Sequence, residues 1–266
     1  MLMFRRCFLA ALLCGAMVRP AAAVPSEWHE IKSDHFVVQY KKAPPRFVNS
    51  VVERAEEDYR KTSEVLGFTR YKGWIGTGRV KILVFDDAND YHRLGYGWSA
   101  GETIIRQRMI ITYPSAHGFF DSVLPHELGH IIFRDFIGQD ALVPLWLEEG
   151  VAMYQEEGRR WGADADVSRA IEEGKFISLP DLTRLDLTRD SDKDLVDMFY
   201  TEAASLVGFL INQGEMYRFA RLCRSIKDGD DFNKALKQAY MKYAQIGNLE
   251  TDWKEYLGHE KKKDRN

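Results

Sequence analysis

The sequence predicts an α+β domain, with strands gathered in its first half and helices in its second. Short apolar runs bounded by turn residues lie before residue 115, as strands require. After residue 119, apolar residues recur every three or four positions over long stretches, as helices require. One stretch around residues 123–134 is apolar nearly all round except for a stripe of histidine, glutamate and arginine, the pattern of a buried helix with one chemical edge.

The first element is an address rather than a fold. Residues 1–23 place Arg5 and Arg6 before an apolar run, Cys7 to Val18, and then Ala21, Ala22 and Ala23. That layout predicts a cleaved export signal, and Arg5-Arg6 also resembles a twin-arginine signal. The expected location is therefore the periplasm or the outside of the cell, with no stable membrane anchor after cleavage. Losing residues 1–23 removes three arginines and no acids, so the formal charge of −3 becomes −6. It also removes Cys7 and Cys14, and Cys223 alone cannot close an internal disulfide.

WHEIKSDHFVVQY (28–40) predicts a strand pair turning near Ser33-Asp34. Pro44-Pro45 opens a helix over about 46–66, with Val48, Val51, Val52, Ala55 and Leu66 on its apolar side. VKILVF (80–85) is short, apolar and β-branched, hence a buried strand, and DDANDYHRL begins a helix capped by Asp86 or Asp87. Gly95, Gly97 and Gly101 mark a loop around Trp98, and RQRMIITYP (106–114) predicts a strand ended by Pro114. Two helices follow between 119 and 157, split by a loop at Gly138. Further helices are expected at about 164–173, 195–212, 215–226, 231–243 and 250–257. The expected organisation is a signal at 1–23, one domain at 24–258 and a solvated charged tail at 259–266.

With 45% hydrophobic and 29% charged residues, the chain is neither disordered nor fibrous. No basic stripe suited to nucleic acid is present in its body. The chemistry concentrates at His126-Glu127-Leu128-Gly129-His130. Residues four apart on a helix lie about 40° apart around its axis, so His126 and His130 project together and suit one zinc ion. Glu127 flanks that face, where it can hold a water. Arg134 continues the polar stripe, while Gly129 offers a place for another element to approach closely. Asp121 or Ser122 is expected to cap this helix, with Pro125 in its first turn. A third ligand is expected from LWLEEGVAMY (145–154). There Glu149 lies in the middle of an apolar arc, whereas Glu148 faces the surface or supports the site from behind. Two histidines, one carboxylate and a water make an open catalytic zinc site. The remaining histidines, at 29, 35, 92, 117 and 259, lack ligand-like spacing.

HELGH with eighteen residues between His130 and Glu149 resembles the HExxH-x18-E pattern of gluzincins, the thermolysin-like and aminopeptidase-like zinc peptidases. WLEEGVAMY resembles the W-x-x-E-G-x-A-x-Y segment of the bacterial peptidase-MA-like domain. WHEIKSDHFVVQY and LETDWKEYL resemble that domain's two ends. The resemblance implies a small mixed sheet lobe packed on the HExxH helix, with a helical C-terminal half across a cleft. It also implies a zinc metallopeptidase acting on peptides or proteins, in which His126, His130 and Glu149 bind zinc and Glu127 is the general base. Tyr200 resembles a tyrosine that follows the zinc helices in related domains, which implies a donor to the oxyanion. Its alignment with Ala203, Ala204, Val207 and Ile211 equally suits a core position, and Tyr154 and Tyr113 are weaker candidates. Many relatives carry Asn where this chain has Glu148, and some carry a supporting Asp where it has Met153. A metzincin would need Gly at 133 and His at 136, where Phe133 and Phe136 stand. The competing reading is a non-catalytic cell-envelope domain that keeps the zinc fold for binding or scaffolding.

Overall fold

Ser33 N–H donates to the Phe36 carbonyl at 3.0 Å and closes the first turn, between β1 (His29–Lys32) and β2 (Phe36–Tyr40). The computed structural model describes residues 28–68, 74, 78–93, 101–114, 118–188, 191–212, 215–243 and 246–263. Residues 1–23, where an export signal is expected, and Gly95, Gly97, Trp98 and His117 lie outside them.

Pro45 begins α1 (Pro45–Val65), where its missing N–H costs no helical bond. Val48, Val51 and Ala55 are fully buried on one face of α1, the face expected from their spacing. The chain returns as β3 (Val80–Val84) parallel to β2, and Asp87 Oδ1 accepts the N–H groups of Asn89 and Asp90 to cap α2 (Ala88–Arg93). Among the described residues the sheet has five strands in the order β1-β2-β3-β5-β4. Its outer pairs, β1–β2 and β4–β5, are antiparallel, and its inner pairs are parallel.

Two expectations near residue 105 needed correction. β4 (Gly101–Ile104) was not expected, and β5 spans only Met109–Thr112. Ile105–Gln107 forms a 3₁₀ turn and Arg108 takes φ +50°, so residues 106–108 make the hairpin between β4 and β5 instead of its second strand. Four residues beginning with glycine carry too little pattern to read; pairing with β5 makes β4 a strand. Val38, Ile82, Ile110 and Thr103 pair in one row across the sheet, and Thr103 Oγ1 donates to the Glu127 carbonyl at 3.4 Å. This face of the sheet therefore meets α3 (Leu124–Ile137).

Neither Asp121 nor Ser122 caps α3. A π-helical turn, Phe119–Val123, runs straight into it and Val123 is already helical, so the turn's carbonyls meet the donors that a cap would satisfy. Gly138, at φ +106°, ends α3, a conformation other residues rarely adopt. Next come α4 (Leu145–Gln155) and α5 (Glu157–Glu172), which starts earlier than expected. The short α6 (Leu179–Arg184) was not expected, although Ser178 Oγ caps it by accepting the Asp181 N–H. Its Thr183 hydroxyl accepts from Trp146 Nε1 and ties it to α4. α7 (Lys193–Asn212) is buried along most of its length, followed by α8 (Glu215–Lys227). α9 (Phe232–Ala239) is shorter than expected, capped by Asp231. α10 (Ile246–Lys263) is longer and carries the helix into the segment expected to be a free tail. Cys223 is a buried free thiol. No helix among the described residues is long and apolar enough to cross a membrane.

One buried acid away from the site gives the fold a pH dependence. Glu202 on α7 is fully buried; one carboxylate oxygen accepts the Ile177 N–H at 2.8 Å and the other has no partner. Burial, opposed by that bond, pushes its pKa from 4.5 up to about 8. Between those values the folded chain holds a proton that the unfolded chain has released, so stability falls as pH rises through the window. Glu202→Gln keeps the acceptor and has no proton to lose. Thermal unfolding is expected to show a Tm several degrees above wild type at pH 8.5 and near wild type at pH 5; equal differences at both pH values would contradict this.

Candidate metal centre

Burial of α3 is nearly complete: His126, Glu127 and His130 are each at most 9% exposed. Glu149 on α4 is 8% exposed. Such groups are costly in the interior unless paired or bound to a cation. The two helices come together because Gly129 has no side chain; a Cβ there would sit 2.9 Å from the Ala152 Cα. The sequence reading of Gly129 as a point of close approach is thus met by α4.

Three ligand atoms converge at this crossing. His126 Nε2 and His130 Nε2 are 3.2 Å apart. Glu149 Oε2 lies 3.6 Å from His130 Nε2 and 4.0 Å from His126 Nε2. Ligands about 2.0–2.2 Å from a tetrahedral ion are about 3.3–3.6 Å from one another, so the triangle has the size of a metal site. Glu149 Oε2 is buried without a hydrogen-bond partner, as suits an oxygen that serves as a metal ligand. Among the described residues this is the cluster of three such side chains that could hold a metal ion.

The charges show the same strain. Burial opposes protonation of His126, but the hydrogen bond and charge of Glu156, then the charges of Glu127 and Glu149, push its pKa up to about 9. Burial, then the charges of His126 and Arg134, hold His130 well below the ordinary histidine range. Burial pushes Glu149 up to about 8, against the opposing charge of His126. On β4, Glu102 is raised by burial and then by the Glu127 charge, which places this edge strand beside the site.

Glu156 is the functional group that sequence reasoning missed. Its Oε1 meets His126 Nδ1 at 2.9 Å, so the ring's other nitrogen is turned toward His130 and Glu149. The signal was present: Glu156 is seven residues beyond Glu149, about 20° away on a helical wheel. Partners of this kind fix ring orientation and typically carry about 10–100-fold in metal affinity. Glu156→Ala is expected to raise the zinc Kd by about that factor. Unchanged affinity in a chelator competition would refute the role.

Glu148 does not face solvent. It takes a forked ion pair from Arg134, with Nε to Oε1 at 2.7 Å and Nη2 to Oε2. Tyr200 is half-buried on α7 and packs against Met153, Ala163 and Ala204; Met153 stands one turn beyond Glu149. Tyr154 lies at the α4–α7 crossing, where Gly208 leaves room for its ring, and Tyr113 packs against Tyr91 and His92.

A mixed sheet with an HExxH helix beneath it and a carboxylate from the next helix defines a peptidase-like class of metal-site proteins. The chain belongs to the peptidase MA superfamily, whose family model matches residues 100–259. The match covers β4 onward and leaves β1–β3 and α1 outside it, although they complete the same sheet. No curated protein matches the chain significantly.

Proposed function

We propose that the chain is an exported zinc metallopeptidase that hydrolyses peptide bonds, with residues 24–258 as its domain. The observation that carries this is the buried triangle of His126 Nε2, His130 Nε2 and Glu149 Oε2, in which the glutamate oxygen has no hydrogen-bond partner. These residues would hold one zinc ion; nitrogen and oxygen donors with a position left open suit that metal in a catalytic site. A zinc ion held there would supply a water acidified from a pKa of 15.7 to about 7 and a polarised carbonyl.

Glu127, buried beside His126, would take the proton from the attacking water and return it to the leaving amine. Glu156 orients His126 for its ligand role. Tyr200 would donate to the oxyanion from the α7 side, a role supported by its packing one turn from Glu149. The export signal at 1–23 supports a periplasmic or extracellular substrate. The test is cleavage of a peptide library with and without chelator, followed by zinc add-back. Cleavage lost and restored supports a peptidase. Stoichiometric zinc without chelator-sensitive cleavage favours the non-catalytic scaffold instead.

A further inference from the structure

We propose that the Arg134–Glu148 ion pair is the positioning device of the metal centre, holding Glu149 against the two histidines by setting how α4 lies along α3. This rests on the zinc reading above. Glu149 Oε2 accepts no hydrogen bond, so no donor fixes this ligand oxygen directly. Its position is inherited from the backbone of α4. Besides the bond of Glu156, at its far end, to His126, two contacts fix that backbone against α3. Gly129 on Ala152 sets the separation of the helices but leaves them free to slide and roll. Arg134, one turn beyond His130, removes that freedom by gripping both oxygens of Glu148, the residue next to the ligand. Arg134 Nη1 also donates to the Ala141 carbonyl at 2.7 Å, which holds the loop joining α3 to α4. One guanidinium thus ties the second histidine's helix, the connecting loop and the third ligand's helix.

Stability alone does not explain the pair. The two side chains are 14% and 13% exposed, and buried ion pairs are often replaced by apolar residues at no loss of stability. What apolar residues lack is the fork that specifies one register. The positioning role therefore separates from a structural one in the double variant Arg134→Met/Glu148→Leu and in the conservative variant Glu148→Gln.

Zinc Kd is measured by chelator competition on the full chain, alongside thermal unfolding of the metal-free protein and the visible spectrum of the cobalt form. The double variant is expected to unfold near the wild-type temperature and Glu148→Gln below it, because it leaves the Arg134 charge buried without its counter-charge; both are expected to bind zinc at least about tenfold more weakly and show an altered cobalt spectrum. Where the double variant fails to fold, Glu148→Gln decides. A Glu148→Gln protein with zinc Kd within about twofold of wild type and an unchanged cobalt spectrum overturns the proposal. A wild type that binds no zinc overturns the metal reading itself, which is a different result from tight wild-type binding that the variants leave intact.

Discussion

Glu127→Gln is expected to lower peptide cleavage by about 10²–10⁴-fold while the protein keeps its metal and its fold. Glutamine fills the same volume on α3 but cannot accept the water proton. Glu127 is 4% exposed, and its charge reaches His126, Glu149 and Glu102. It is therefore close to the triad without being one of the three converging ligands. The expected loss falls on kcat, since the residues that would hold the metal are untouched. Steady-state kinetics with metal analysis of both proteins checks this. A variant that loses zinc together with activity would make Glu127 a structural support; a variant with full activity would remove it from the mechanism.

Gly150→Ala is expected to have the largest effect on folding. Gly150 follows Glu149 and faces α7, and a Cβ there would stand 2.3 Å from the Ala203 carbonyl oxygen and 2.6 Å from Val207 Cγ2. The first obstacle is backbone, so α4 and α7 must separate. Overpacking of this kind costs about 1–3 kcal/mol, and a backbone obstacle puts this case at the upper end. For a chain of this size that is about 6–12 °C in Tm. Because α4 carries Glu149, the zinc site should loosen as the crossing opens, and chelator competition should show weaker binding in the folded fraction. A Tm within about 1 °C of wild type would contradict the packing described at this crossing.

The converging triad was legible in the sequence because helical spacing alone brings His126 and His130 together. Glu149 followed from its place in an apolar arc, where an acid has no reason to be unless it is bound. Glu156 obeys the same periodicity but lies at the extended end of α4, beyond the segment in which a partner was sought. The Arg134–Glu148 pair was visible as two polar residues and not as a contact, since the contact exists only once α3 and α4 cross. β4 was missed for a similar reason: Gly101–Ile104 has weak local preference and becomes a strand by pairing with β5. Asp121 and Ser122 looked like caps because a π-helical turn ahead of α3 leaves no mark in residue type. The spacing of Tyr200 suits both a core position and a place beside the site, and it packs against the cluster of Met153, Ala163 and Ala204.

Metal content tests the central claim most directly. Purified full-length protein, exposed to zinc and then desalted, is analysed for metal beside His126→Ala, His130→Ala and Glu149→Ala. The expected result is about one zinc per chain in the wild type and well below that in each variant, all four remaining folded. A well-folded wild type that retains no zinc, or variants that retain it as fully as the wild type, would contradict the assignment of this cluster as the metal centre.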